Sequence, residues 1–168
     1  MWWGVLLTVL GACSGVYGVV FAIGQHDLKR LLAYHSIENI GIIFLGLGLA
    51  VSGQACHEPA WVALGIAGAM LHVWNHGLFK SLLFLGAGSV LHATGTREID
   101  HLGGLARRMP WTSGLFMVGA AAICGLPPLN GFISELLIYL GFFRVVIAPN
   151  LAGWPLGALA IPALGLIG

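Results

Sequence analysis

Five ionisable side chains, Glu38, His72, His76, Lys80 and Glu135, stand inside long apolar runs. At bilayer depth an ionisable residue costs about 2.5–3.5 kcal/mol on insertion scales, so each needs a partner, a water-filled cavity or a task. His72, His76 and Lys80 recur every four residues, which on an α-helix places them along one stripe that drifts by about 40° per step. Imidazoles titrate near neutrality, and a row of them leading to an amine can pass protons along intervening waters. Asn75 and Ser81 are placed to hold such waters. Glu135 follows Gly125-Leu126-Pro127-Pro128-Leu129-Asn130-Gly131, and an acid just beyond a broken helix is where transporters hold protons or cations. Glu38, in Tyr34-His35-Ser36-Ile37-Glu38-Asn39-Ile40-Gly41, reads as a proton carrier or counter-ion. For each of these groups the structural alternative is a hydrogen-bond anchor between helices.

Other chemistries fit less well. His72 and His76 have the spacing of a zinc helix, but Val73 stands where the metalloprotease pattern needs Glu. Axial haem ligation by two of His35, His72, His76 and His92 is open to a histidine-rich bundle, although a His-Lys row on one helix suits protons better. Cys13, Cys56 and Cys124 are scattered without a CxxC pair and read as small buried hydrophobes. No phosphate-binding loop, dinucleotide fingerprint or nucleophile elbow occurs. The expectation is therefore no catalytic centre, no metal and no cofactor in this chain.

The elements that position these groups follow from composition. The chain is 58% hydrophobic and 8% charged, against about a quarter charged in a soluble domain, and it holds 26 glycines, so a soluble enzyme is excluded. Seven Lys and Arg against six Asp and Glu leave a net +1 with no basic block, which excludes nucleic-acid binding. A spanning helix needs about 20 apolar residues, and five runs qualify: 2–23, 31–51, 59–92, 111–148 and 151–168. The fourth is too long for one span and carries two prolines, which predicts a break at 125–131. The fold class is thus all-α, a polytopic membrane protein of about five transmembrane helices with the fourth broken. Trp2 and Trp3 read as interfacial anchors. Lys29 and Arg30 in one connection and Arg97, Arg107 and Arg108 in another fall on alternate loops, which places both loops in the cytoplasm and the N-terminus outside. Arg144 does not fit that pattern and is expected to snorkel or to pair internally.

Several short motifs, in this order, carry a resemblance over most of the chain: Asp27-Leu28-Lys29-Arg30-Leu31-Leu32-Ala33-Tyr34, His72 to Lys80 with Phe79-Lys80-Ser81-Leu82-Leu83-Phe84-Leu85, Gly103-Gly104-Leu105, and Gly125 to Phe132. The chain resembles the antiporter-like, proton-translocating subunits of respiratory complex I, membrane-bound hydrogenases and multi-subunit cation/proton antiporters. His35 to Gly41 and Pro127 to Phe132 are most similar to the large membrane subunit of formate hydrogenlyase and hydrogenase-4 complexes. The resemblance implies two inverted five-helix repeats, of which this chain matches the second, as a fragment or split product. It implies proton-conducting roles for Lys80, His72, His76 and Glu135 and matches Lys29 to a cytoplasmic-loop lysine of open role; Glu38 joins the proton-translocating set as a tuning or accessory carboxylate, and His35 and Lys29 are accessory. It also implies a non-redox, multi-pass subunit of an oxidoreductase complex in the inner membrane, with other membrane subunits, a peripheral redox arm, the lipid bilayer and protons, or Na+, as partners. The alternatives are a subunit of a Na+/H+ antiporter and a non-transporting scaffold for redox subunits.

Overall fold

Asp27 determines where the second helix begins. Its carboxylate accepts hydrogen bonds from the backbone N–H groups of Lys29 at 2.9 Å and Arg30 at 3.0 Å, capping the first turn. Lys29 and Arg30, expected in the connection, therefore lie in the helix. The computed structural model describes residues 1–148 and 153–167; residues 149–152 and Gly168, which include both ends of the expected fifth run, lie outside the described residues. Among the described residues the structure is helical: α1 (Trp2–Ile23), α2 (Leu28–Cys56), α3 (Pro59–Thr94), α4 (Leu105–Arg108), α5 (Pro110–Ile123), α6 (Asn130–Ile147) and α7 (Trp154–Ile167), with a single 3₁₀ turn at Ile99–His101. Four of these, α1, α2, α3 and α6, are long and apolar enough to cross a membrane, and α5 and α7 are shorter apolar helices.

The expected fourth stretch is broken, as α5 and α6 separated by residues 124–129. Helix resumes at Asn130, so Asn130 and Gly131, expected within the break, form the first turn of α6. The 36 residues of α3 extend about 54 Å at about 1.5 Å per residue, well beyond a hydrocarbon layer of about 30 Å. Its ends are set by Pro59 at the first turn and by Gly95 in the left-handed conformation, φ 73°.

Small residues let α1 and α2 lie almost backbone to backbone. A Cβ on Gly41 would fall 2.5 Å from the Gly15 amide nitrogen and 2.6 Å from the Gly11 carbonyl oxygen. Pairings of Gly4 with Gly48, Gly11 with Gly41 and Gly18 with Glu38 make the two helices antiparallel. The core joins Leu45 and Leu49 of α2, Trp61 of α3, Ile138, Phe142 and Val145 of α6, and Ala160 and Leu164 of α7. Many large apolar side chains face outward, including Trp2, Trp3, Leu85 and Trp111, as a surface in contact with hydrocarbon requires. Cys13 and Cys124 belong to that exposed surface and Cys56 is partly exposed, which corrects their expected burial. An apolar thiol loses nothing by facing lipid.

The two basic connections meet at one end of the molecule. The Leu28 amide donates to Arg97 O at 3.0 Å, the Ile99 amide donates to His26 O at 2.8 Å, and Arg97 Nε lies 3.2 Å from Asp27 Oδ2. His26 Nδ1 approaches Asp100 Oδ2 at 2.8 Å. The alternation of basic loops therefore corresponds to a physical clasp between the start of α2 and the end of α3. Arg144 is exposed on the last turn of α6, where a cation complements the helix dipole.

Gly41→Val is expected to destabilise the protein by about 1–3 kcal/mol through overpacking, read as a lower thermal midpoint in detergent; an unchanged midpoint would refute the close approach. The Arg30 amide chiefly, with the Arg97 guanidinium beside it, holds the Asp27 carboxyl below its ordinary value of 3.8 against partial desolvation. The cap is therefore at full strength above pH 3.8 and is lost as pH falls through the lower folded value. Hydrogen-exchange protection of the Lys29 and Arg30 amides, corrected for intrinsic rates, should fall only in that acid range.

Candidate functional site

Three helices supply the buried polar groups. Leu32 of α2 lies opposite Lys80 of α3, and Asn39 lies opposite His72, so α2 and α3 run antiparallel with Glu38 one residue from Asn39. α6 packs against both α3 and α2, with Asn130 against Asn75, Ser134 against His72 and Ile138 close to Gly46. Phe116 and Gly119 of α5 meet Gly86 and Leu83 further along α3. The break at 124–129 consequently lies level with the stretch of α3 between Asn75 and Leu83, which holds His76 and Lys80.

Each group expected from the sequence has a definite place there. Lys80, 6% exposed, donates from Nζ to the Leu32 carbonyl at 2.5 Å and sits 6.0 Å from the Phe84 ring centroid. The ammonium is thus held by a backbone acceptor and an aromatic face rather than by a carboxylate. Glu38, 5% exposed, accepts a hydrogen bond from His35 Nδ1, one turn earlier on α2. His72 is fully buried, with Nε2 3.0 Å from Asn39 Oδ1 and Nδ1 2.9 Å from Ser134 Oγ. His76 stands edge-on to Phe79, and its buried Nε2 has no hydrogen-bond partner among the described residues. Glu135, 9% exposed, lies in the second turn of α6 with its carboxylate turned back against Gly125 in the break. The structure thus brings together Glu38, His72, His76, Lys80 and Glu135 along the α2–α3–α6 seam, with His35 at its edge. Lys29 remains apart, half-buried in the first turn of α2 near the loop clasp.

The network also recruits Asn39, Asn130 and Ser134, which had no assigned part in the sequence reading, and Asn75, which was expected to hold water. Asn39 Nδ2 donates to the His35 carbonyl at 2.7 Å, which turns its oxygen toward His72. Asn75 Nδ2 donates to the Asn130 carbonyl at 2.8 Å, and Asn130 Nδ2 donates back to Asn75 Oδ1 at 3.0 Å. Ser134 joins Asn75 and His72 at the same point. The signal for α6 was the four-residue spacing of Asn130 and Ser134, which places both on one helix face. Ser81, expected to hold water beside the row, is exposed and bonds its own helix at Gly77 O, 2.7 Å away. A serine hydroxyl in a helix readily turns to the carbonyl four residues back. Among the described residues, no three His, Cys, Asp or Glu side chains converge as metal ligands.

The family model described as NADH:quinone oxidoreductase/Mrp antiporter, TM, matches residues 1–149. Formate hydrogenlyase subunit 3 of Escherichia coli (strain K12) is 48% identical over 168 residues, which cover 100% of this chain and 28% of that protein. Hydrogenase-4 component B of the same strain is 42% identical over 168 residues, 100% of this chain and 25% of that protein. A chain in the structure of the Mrp complex from Dietzia sp. DQ12-45-1b superposes with a TM-score of 0.77 at 36% identity, covering 98% of this chain and 17% of that one. The chain spans about a quarter of the length of the curated relatives it matches.

Gly125 adopts φ 60°, and a Cβ there would fall 2.7 Å from Glu135 Oε2. Gly125→Ala is expected to cost about 1–2 kcal/mol in backbone strain alone and to displace the carboxylate. A thermal midpoint equal to that of the unaltered protein would show that neither the turn nor the space is needed.

Proposed function

The chain belongs to the NADH:quinone oxidoreductase/Mrp antiporter transmembrane family, and from that premise we propose that it forms part of the proton-translocating membrane module of a hydrogenase-type or complex I-like assembly. The observation that carries the reading is the seam itself. Lys80, His72, Glu38 and Glu135 are buried with His76 between helices whose outer faces are apolar, and a helix break lies level with the amine. Ionisable groups at that depth are retained for a task.

In this reading Lys80 is the central relay, His72 and His76 the conducting row, and Glu135 the uptake or release site at the break. Glu38 is an accessory carboxylate hydrogen-bonded by His35, and Lys29 is accessory, lying toward the loop end apart from the seam. Electron transfer in this reading belongs to partner subunits, including a peripheral redox arm, and is coupled to the seam by conformation or field. The protein lies in the inner membrane with the clasped basic loops in the cytoplasm, as the positive-inside rule predicts. The likeness to the Mrp complex supports a second reading, a subunit of a Na+/H+ antiporter. That reading requires transport to depend on Na+. A scaffold without transport would hold no continuous file of water from His72 to Glu135.

Lys80→Met or Glu135→Gln in the complete complex is expected to lower coupled proton uptake at least about tenfold while assembly persists, as loss of a relay step worth about 1.4 kcal/mol or more would do. Uptake at the unaltered rate in both variants would defeat the proposal.

A further inference from the structure

The hydrogen bonds around His72 determine where its protons sit. Asn39 Nδ2 donates to a backbone carbonyl, which can only accept, so Asn39 Oδ1 must be the atom facing the ring. His72 Nε2 is therefore the N–H, and in the neutral ring Nδ1 carries a lone pair aimed at Ser134. Only the Ser134 hydroxyl can donate to it. The same Oγ lies 2.8 Å from the Gly131 carbonyl and 3.4 Å from the Asn130 carbonyl, and it accepts from Asn75 Nδ2 at 3.3 Å. One hydroxyl hydrogen thus has a choice of acceptors, the imidazole on α3 or the first turn of α6.

We propose that Ser134 is the positioning residue for His72: its hydroxyl holds the neutral ring in the Nε2–H form and turns to the Gly131 carbonyl when Nδ1 takes up a transported proton. The proton count is simple. The ring gains one proton and one positive charge, Nδ1–H then donates to Ser134 Oγ, and the serine keeps its own hydrogen. No buried donor is left unpaired in either state, whereas an unpaired polar atom at this site would be costly. His76 lacks such a device, since its buried Nε2 has no partner among the described residues. The turn of the hydroxyl also reports the state of the ring to the start of the broken-helix segment, through the carbonyl of Gly131.

The inference deepens the transport reading and rests on it for the source of the proton. In the complete assembly, Ser134→Ala is expected to lower proton transport about tenfold, the size of one lost hydrogen bond to a charged ring. Ser134→Thr, which keeps the hydroxyl, should restore it to within about threefold. Nitrogen-15 histidine spectra of the unaltered assembly, with the His72 signals identified by their loss in His72→Asn, should show His72 as the Nε2–H tautomer. An Nδ1–H neutral ring, or transport at the unaltered rate in Ser134→Ala while Lys80→Met is impaired, overturns the inference. If Lys80→Met and Glu135→Gln also transport normally, the transport reading has failed instead, and the role of Ser134 at the ring is read from nitrogen-15 spectra of Ser134→Ala, in which an unchanged His72 Nδ1 shift overturns it.

Discussion

A polar atom inside a helix bundle bounded by hydrocarbon has no water to turn to, so the helix that carries it must bring it to an acceptor or donor on another helix. That requirement sets the register of the molecule. Lys80 reaches the Leu32 carbonyl and His72 reaches Asn39, which fixes α3 against α2 at two levels. His72 and Asn75 reach Ser134 and Asn130, which fixes α6 against α3. Dispersion between apolar side chains would tolerate small slides of these helices, whereas a hydrogen bond weakens steeply within a few tenths of an ångström. The glycine stripe of α1 and α2 then lets α1 close on α2 from outside.

Much of the fold was legible in the sequence because hydrocarbon imposes a length. The limits of the apolar runs lie close to the helix limits of α1 and α3, and the two prolines marked the break between α5 and α6. The differences arise where a backbone group finds a local partner that hydropathy ignores. Asp27 draws the polar pair Lys29 and Arg30 into α2, and His57, at φ 58°, ends that helix five residues beyond its expected limit. The short turns at Ile99–His101 and Leu105–Arg108 have no apolar signature of their own.

The site was legible to the extent that charge in an apolar run is conspicuous. Glu38, His72, Lys80 and Glu135 were found by that contrast alone, and the four-residue spacing put His72, His76 and Lys80 on one side of α3. Asn39 and Ser134 were not, because a neutral polar residue in an apolar run admits many partners and the choice is made in three dimensions. Ser81 shows the same limit from the other side, since it satisfies itself on its own helix.

The reciprocal amide pair of Asn75 and Asn130 gives the two halves of the broken stretch different mechanical characters. α6 is bolted to α3 by directional bonds at Asn75 and His72, so the two helices resist sliding past one another. α5 meets α3 through Phe116, Gly119, Leu83 and Gly86, a greased surface without such pins. Shear between the halves is therefore soft on the α5 side and stiff on the α6 side. A pull delivered along α5 would be spent on the six-residue connector at 124–129, right beside the Glu135 carboxylate, before it could disturb the imidazole row.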